Sequence, residues 1–345
     1  MSHSVALNFA DGKTFFIDVH NDELLLNAAV RQGITLPLDC REGVCGTCQG
    51  LCESGVYKQD YVDEDTLTEQ ELAARKILAC QTRVQSNASF YFDHDSSFCQ
   101  AGEALTTSAT VIEIQWVSDE NILLTLQADQ RNLNFLAGQY ARIHVPGSDE
   151  TRAYSFAHAP NSNGELQFLI RYLPDGVMGQ YLKNSCQIGA QLDLELPFGS
   201  FYLRQTDAKR PLYFMAGGTG LSAFLAILEQ CEQLDALPPI HLYYAVRSEL
   251  HLCEQQRLAQ YQKKFSQFHY YPVVSQPSEA WTGLTGHIQN HLYVEKFKDI
   301  EFDLYMCGPP ALIDGLTDWF NSHEIKHGHY YAEKFIATAK INQAA

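Results

Sequence analysis

Positive charge and long apolar runs are what this sequence has least of. Its 24 Lys and Arg face 41 Asp and Glu, a net charge of −17. A chain so acidic has no basic face with which to neutralise phosphates, which argues against a nucleic-acid protein. No run approaches the roughly 18 apolar residues that would span a bilayer, so no membrane role is expected. Met1-Ser2-His3-Ser4 leads straight into alternating apolar residues without a basic-then-apolar signal segment, and a cytoplasmic location is expected. Internal repeats and low-complexity tracts are also missing. With 46% hydrophobic and 19% charged residues, wholesale disorder is excluded.

A length of 345 residues is long for one core and predicts two or three domains. Residues 1–98 carry 7 Lys/Arg against 15 Asp/Glu, a net −8, the most acidic stretch per residue. That suits an electrostatically steered docking module. Val5, Leu7 and Phe9, then Phe15, Ile17 and Val19, alternate around Ala10-Asp11-Gly12, which predicts a β-hairpin. Leu24, Leu25, Ala28 and Ala29 follow at helical spacing until Gly33. Thr68 with Glu71 has the form of a capping box. This α+β unit ends near Asp93, and 93–102 reads as a linker. From 106 to about 203, short strands (110–116, 122–127, 140–145, 166–172, 191–196) with one helix near 178–182 predict an antiparallel β-barrel. After Arg210, strands at 212–215, 241–246, 269–274 and 303–307 alternate with helices at 222–233, 254–264 and 311–321. That rhythm predicts a doubly wound parallel α/β sheet. The expected domains are 1–98, 99–206 and 207–345.

Ten cysteines would suggest disulfides, but four lie between Cys40 and Cys52, too close for a loop-rich secreted scaffold. Cys40, Cys45 and Cys48, followed by Cys80 after 31 intervening residues, have the C-x4-C-x2-C…C spacing of a plant-type [2Fe–2S] site. Four thiolates hold two irons, and the intervening glycines let backbone N–H groups turn toward sulfur. The rival reading is zinc, yet structural zinc shows two short Cys/His pairs, and none of the 13 His residues is near this loop in sequence. Cys52, Cys99, Cys186, Cys231 and Cys253 read as small buried residues.

Arg152, Tyr154 and Ser155 form an R-x-Y-S segment in the barrel region. Strand alternation sets Arg152 and Tyr154 on one face and Ser155 on the other. An arginine suits pyrophosphate, an aromatic ring stacks on a flavin, and a hydroxyl bonds a ring nitrogen. Tyr172, at a strand end, joins these candidates. Gly176, Val177 and Met178 open the short helix, where free N–H groups and the dipole favour an anion; an ordinary Asp175-Gly176 turn is the rival reading. Gly217, Gly218, Thr219 and Gly220 follow an apolar strand and open a helix, the context of a phosphate cradle. Cys307, Gly308 and Pro309 again join strand to helix and are candidates for the nicotinamide pocket, against a buried thiol with a proline helix start. Arg247, ending the second strand of this region, sits where the adenosine ribose is expected, and its charge leaves NADPH open.

Taken in order, these motifs and Glu333-Lys-Phe335 resemble the ferredoxin–NADP reductase superfamily with an N-terminal plant-type ferredoxin domain, over nearly the whole chain. Within it the sequence looks like the reductase components of benzoate-type two-component Rieske dioxygenases. The resemblance implies that Cys40, Cys45, Cys48 and Cys80 hold the cluster. It implies that Arg152, Tyr154, Ser155, Tyr172, Gly176, Val177, Met178 and Phe335 bind the flavin. Gly217, Gly218, Thr219, Gly220, Arg247, Cys307, Gly308 and Pro309 would bind NADH, with Ser155, Cys307 and Phe335 lining the hydride-transfer site and no acid–base residue required. Relatives with the ferredoxin domain first generally use FAD. Gly179 stands where the family often has Ser or Thr, and Ala223 where many relatives have Pro. The expected function is electron transfer from NADH through FAD and [2Fe–2S] to a Rieske-type oxygenase. The alternatives are the reductase of a diiron hydroxylase and a redox carrier or sensor without turnover. Asp60, Asp63, Glu64 and Asp65 are a candidate docking face, or simply a solvated turn.

Overall fold

The alternating segments at the start of the chain pair as a hairpin in the computed structural model, which describes residues 2–335 apart from 39, 65, 100–104, 205 and 326. These fall into two compact units, Met1–Leu105 with Phe198–Ser200, and Thr106–Pro197 with Phe201–Ala345. In the first unit, β1 (Ser2–Phe9) and β2 (Thr14–His20) close over Gly12 at φ +77°, a backbone that favours glycine. Helix α1 (Leu25–Arg31) buries Leu25, Leu26, Ala28 and Ala29, and stops at left-handed Gly33. Then come β3 (Gln49–Ser54), β4 (Tyr57–Gln59), α2 (Glu69–Ala73), β5 (Lys76–Leu78), β6 (Thr82–Val84) and β7 (Ala88–Phe92). The capping box is present: Glu71 N–H donates to Thr68 Oγ1 at 3.3 Å, and Thr68 N–H to the Glu71 carboxylate at 3.0 Å. The main sheet runs β2-β1-β7-β3-β5, with β1 parallel to β7 and the other pairs antiparallel, and β4-β6 forms a small second sheet. Val5, Leu7, Val19, Ile77 and Phe90 fill its core. The described part of the expected linker holds a single 3-10 turn, Ser96–Cys99; residues 100–102 of it lie outside the described set.

The second unit begins with β8 (Leu105–Trp116), β9 (Asn121–Ala128), β10 (Tyr140–His144), β11 (Thr151–Ser155), β12 (Glu165–Arg171), α3 (Val177–Asn184) and β13 (Gln191–Phe198). Their order, β11-β10-β13-β8-β9-β12, is closed almost to a barrel by a bridge between Phe156 and Phe168. A parallel sheet follows, made of β14 (Leu212–Gly217), α4 (Leu221–Cys231), β15 (Ile240–Val246), α5 (Gln255–Lys264), β16 (Phe268–Val274), β17 (Leu284–Thr285), β18 (Phe302–Gly308), α6 (Pro310–Ser322) and β19 (Gly328–Lys334). Its order is β17-β16-β15-β14-β18-β19. The chain moves outward from β14 in one direction and returns through β18 in the other, so the switch point lies between these two strands. In open α/β sheets ligands bind beyond the strand C-termini at that point. Strands β17 and β19 go beyond the sequence expectation.

Barrel and parallel sheet share one core. Leu123, Ala157, Leu169 and Phe201 from the barrel side join Phe214, Phe224, Leu225 and Tyr305 in a continuous buried cluster. Phe224 meets Phe201 edge-on at 5.8 Å and stacks on Phe214 at 5.0 Å. No helix among the described residues is long and apolar enough to cross a membrane. Because the core is continuous, Phe224→Ala is expected to cost about 3–5 kcal/mol and to lower the unfolding of barrel and parallel sheet as one step. Urea denaturation followed by circular dichroism and by flavin fluorescence should give coincident transitions.

Candidate functional site

The loop from Cys40 to Cys48 has no regular hydrogen-bonding period and is shaped by left-handed residues: Arg41 at φ +62°, Gly43 at +79° and Gly46 at +75°. At Gly43 a β-carbon would lie 2.4 Å from the Tyr61 carbonyl oxygen, so no larger residue fits. Neighbouring segments hold the loop from outside. Asp63 N–H donates to Gly43 O at 3.1 Å, Thr66 Oγ1 to Val44 O at 2.9 Å, and Gln81 Nε2 to Arg41 O at 2.9 Å. Backbone amides reach the sulfurs as well: Glu42 N–H to Cys40 Sγ at 3.4 Å and Cys80 N–H to Cys48 Sγ at 3.5 Å.

The four thiols associate as two pairs, Cys40 with Cys45 and Cys48 with Cys80. The hydrogen bond from Cys45, with the N–H groups of Glu42, Val44 and Cys45, holds the Cys40 thiol down at about 5. Its partner Cys45 is pushed up, first by that same bond and then by burial. Cys80 is lowered by its bond with Cys48, and Cys48 is raised. All ten cysteines are free thiols. Among the described residues no three His, Cys, Asp or Glu side chains converge on one ion position. Four thiols drawn together in this way suit a two-iron cluster. Cys52, Cys99, Cys231 and Cys253 are buried as expected, whereas Cys186 is only partly so. Asp60 is committed to an ion pair with Arg83 at 2.7 Å, which removes it from a free docking face. Asp63 supports the cluster loop, Glu64 is exposed, and Asp65 lies outside the described residues.

In the second unit the switch point is the crowded place. A β-carbon on Gly220 would stand 2.2 Å from the Cys307 carbonyl oxygen, and one on Gly217 would stand 2.8 Å from the Pro309 ring. Gly308, at φ +154°, would meet the Gly217 backbone at 3.0 Å. Gly217 and Gly220 thus let the ends of β14 and β18 touch. Gly218 differs: it is left-handed at φ +54°, with nothing near the position its β-carbon would occupy, and so faces open space. Strand β19 pairs with β18 so that Glu333 lies beside Cys307. The Glu333 carboxylate accepts from Ser155 Oγ at 3.3 Å and from Cys307 Sγ at 3.9 Å. Ser155 is 4% exposed and Cys307 fully buried; burial, then the Glu333 carboxylate, pushes the Cys307 thiol well up, so it stays neutral. Phe335 N–H donates to Gly308 O at 2.8 Å, fixing Phe335 at the same edge. Glu333 is the residue that the sequence-based site lacked. The signal was present, because Glu333 lies two residues before Phe335, which the sequence already singled out.

The other flavin candidates are placed as follows. Arg152 and Tyr154 are half-buried, Ala153 is exposed and Ser155 is buried at the end of the strand, so burial here deepens along β11 and does not simply alternate. Arg152 donates to Thr151 O at 2.9 Å and is ion-paired with Glu150, so a phosphate there competes with a carboxylate. Gly176 caps α3 with no side-chain bond, which leaves the first-turn N–H groups of Val177, Met178 and Gly179 open. Met178 is buried, and Val177 is 36% exposed. Tyr172 packs against α3, with Lys183 Nζ 4.6 Å from its ring centre and Trp116 5.6 Å away. A β-carbon at 179 would be 3.1 Å from the Tyr172 ring, so any larger residue there requires that ring to shift. Arg247 is exposed at the end of β15. Nearby, hydrogen bonds from Ser278, and then Glu249's own backbone, hold the Glu249 carboxyl below its ordinary value.

Gly220→Ala must displace the Cys307 carbonyl. It is expected to slow flavin reduction by NADH on the order of 10²-fold, as small misplacements do at transfer sites, while the visible absorption of the cluster persists; stopped-flow spectroscopy checks both.

Comparison with known proteins agrees with this arrangement. Residues 8–85 match the 2Fe-2S iron-sulfur cluster binding domain, 108–202 the oxidoreductase FAD-binding domain, and 214–318 the oxidoreductase NAD-binding domain. The electron transfer component of anthranilate 1,2-dioxygenase from Acinetobacter baylyi is 55% identical over 97% of this chain and 98% of its own. That of toluate 1,2-dioxygenase from Pseudomonas putida is 38% identical over 98% of this chain and 100% of its own. Among solved structures, a cytochrome P450 reductase from Amycolatopsis superposes with a TM-score of 0.69 at 26% identity, covering 96% of this chain and 98% of that one. The chain therefore belongs to the family of three-part oxidoreductases, with [2Fe–2S], FAD and NAD domains, that are the electron transfer components of aromatic-ring dioxygenases.

Proposed function

We propose that this chain draws electron pairs from NADH and delivers them singly to a Rieske-type oxygenase that attacks an aromatic carboxylate of the benzoate and anthranilate kind. The observation that carries the reading is the convergence of Ser155, Cys307 and Glu333 at the switch point, where three strands from two sheets meet. The names of the anthranilate and toluate relatives support the substrate class.

When bound, nicotinamide and flavin would supply transfer of one hydride, that is two electrons, and a two-iron cluster would supply one-electron transfer. In this reading Gly217, Gly218, Thr219 and Gly220 receive the dinucleotide phosphates, with Gly218 exposing its backbone to them. Cys307, Gly308 and Pro309 form the floor under the nicotinamide. The neutral Cys307 thiol adds no charge there, and Glu333 holds the Ser155 hydroxyl in place. Phe335, Tyr154 and Tyr172 bound the flavin, Arg152 exchanges Glu150 for a phosphate, and Gly176, Val177 and Met178 offer first-turn amides. Glu249, two residues beyond Arg247 in the chain, carries a negative charge that opposes a 2′-phosphate and favours NADH. Cys40, Cys45, Cys48 and Cys80 hold the cluster, and thiols kept free in this way suit the cytoplasm.

The test separates the two steps. Cys45→Ser should abolish NADH-driven cytochrome c reduction yet leave reduction of the bound flavin by NADH unchanged. Equal loss of both, with flavin still bound, would show that flavin and cluster do not act in series. Absence of any NADH-driven steady rate in the unaltered chain would leave only a carrier or sensor.

A further inference from the structure

We propose that Arg75 is a positioning residue for the iron–sulfur cluster, setting the spacing between the strands that carry Cys48 and Cys80. This rests on the reading of Cys40, Cys45, Cys48 and Cys80 as cluster ligands. Strand β3 leaves Cys48 and strand β5 leads into Cys80, and the two pair antiparallel, with Gln49 opposite Leu78 and Leu51 opposite Lys76. Arg75 stands where this ladder ends. Cys52 N–H donates to its carbonyl at 2.9 Å, and its own N–H donates to Leu72 O at 3.0 Å, ending α2.

Arg75 is left-handed, at φ +67°. That conformation is disfavoured for a residue with a β-carbon, and the position just after a helix is commonly glycine. The side chain offsets the strain by reaching back to β3. Its Nε donates to Cys52 O at 2.9 Å, and its Nη2 to Cys52 Sγ at 2.9 Å and to Gly55 O at 2.7 Å. The guanidinium also lies over the Tyr57 ring, 5.3 Å from its centre. One planar fork thus binds three acceptors, two on Cys52 of β3 and one on Gly55 just after it, using a geometry that lysine cannot copy. The clamp fixes β3 at the end of the ladder away from the thiols, so it acts on them through the spacing of the two strands. Cys52, a fifth cysteine too far along the strand to be a ligand, thereby has a role as an acceptor in this clamp.

The test uses the full chain with cluster and flavin bound, comparing the unaltered protein with Arg75→Gly and Arg75→Lys. Glycine suits the left-handed backbone, so Arg75→Gly removes the clamp without straining the turn. The expected result is a shifted cluster potential, altered EPR g-values and about tenfold faster bleaching by a chelator, at the low end of what loss of a supporting contact does at a metal site. Flavin reduction by NADH stays unchanged, and Arg75→Lys falls between. A glycine variant with unaltered potential and g-values, even if it melts earlier, would overturn the proposal and leave Arg75 a purely structural residue. If Arg75→Gly fails to hold the cluster, Arg75→Lys decides, and unaltered values there overturn the proposal equally. Absence of a two-iron signal in the unaltered chain would instead overturn the reading of the four cysteines.

Discussion

A β-carbon on Gly220 would lie 2.2 Å from the Cys307 carbonyl oxygen, so only glycine lets the two strand ends meet. This contact between the ends of β14 and β18 is the constraint on which the second unit depends. It brings Cys307 to the switch point, and through the β18–β19 pairing it brings Glu333 beside Cys307 and within reach of Ser155 from the barrel. With Gly217 and Gly220 consumed by strand packing, Gly218 alone is left facing open space. One glycine-rich loop therefore does two different things, and spacing alone does not separate them.

The first unit solves a related problem without a repeating element. Left-handed Arg41, Gly43 and Gly46 bend the Cys40–Cys48 loop back on itself, while Asp63, Thr66 and Gln81 hold its carbonyls. The result draws the four thiols together, with hydrogen bonds between Cys40 and Cys45 and between Cys48 and Cys80.

Much of this was legible beforehand, for identifiable reasons. The hairpin at Gly12, the Thr68–Glu71 cap and the strand–helix alternation after Arg210 are local signals, and they survive in the fold. Strand β19 is not local. Its exposed residues, such as His329 and Tyr330, carry no apolar alternation, and the strand exists because β18 offers an edge. Glu333 was overlooked as a site residue along with it. Arg152 was identified by type, but its ion pair with Glu150 depends on a neighbour two residues away. The left-handed turn at Arg75 was invisible because an arginine there contradicts the usual glycine rule, and only the clamp onto Cys52 and Gly55 explains it.

Anaerobic titration with NADH, followed at the visible bands of flavin and cluster and by EPR, tests the central claim most directly. A chain that places a two-electron and a one-electron carrier in series should take up about three electrons, with the signal of two bridged irons growing only as the flavin band is lost. Uptake of two electrons with the cluster left oxidised, under a potential low enough to reduce it, would contradict the account.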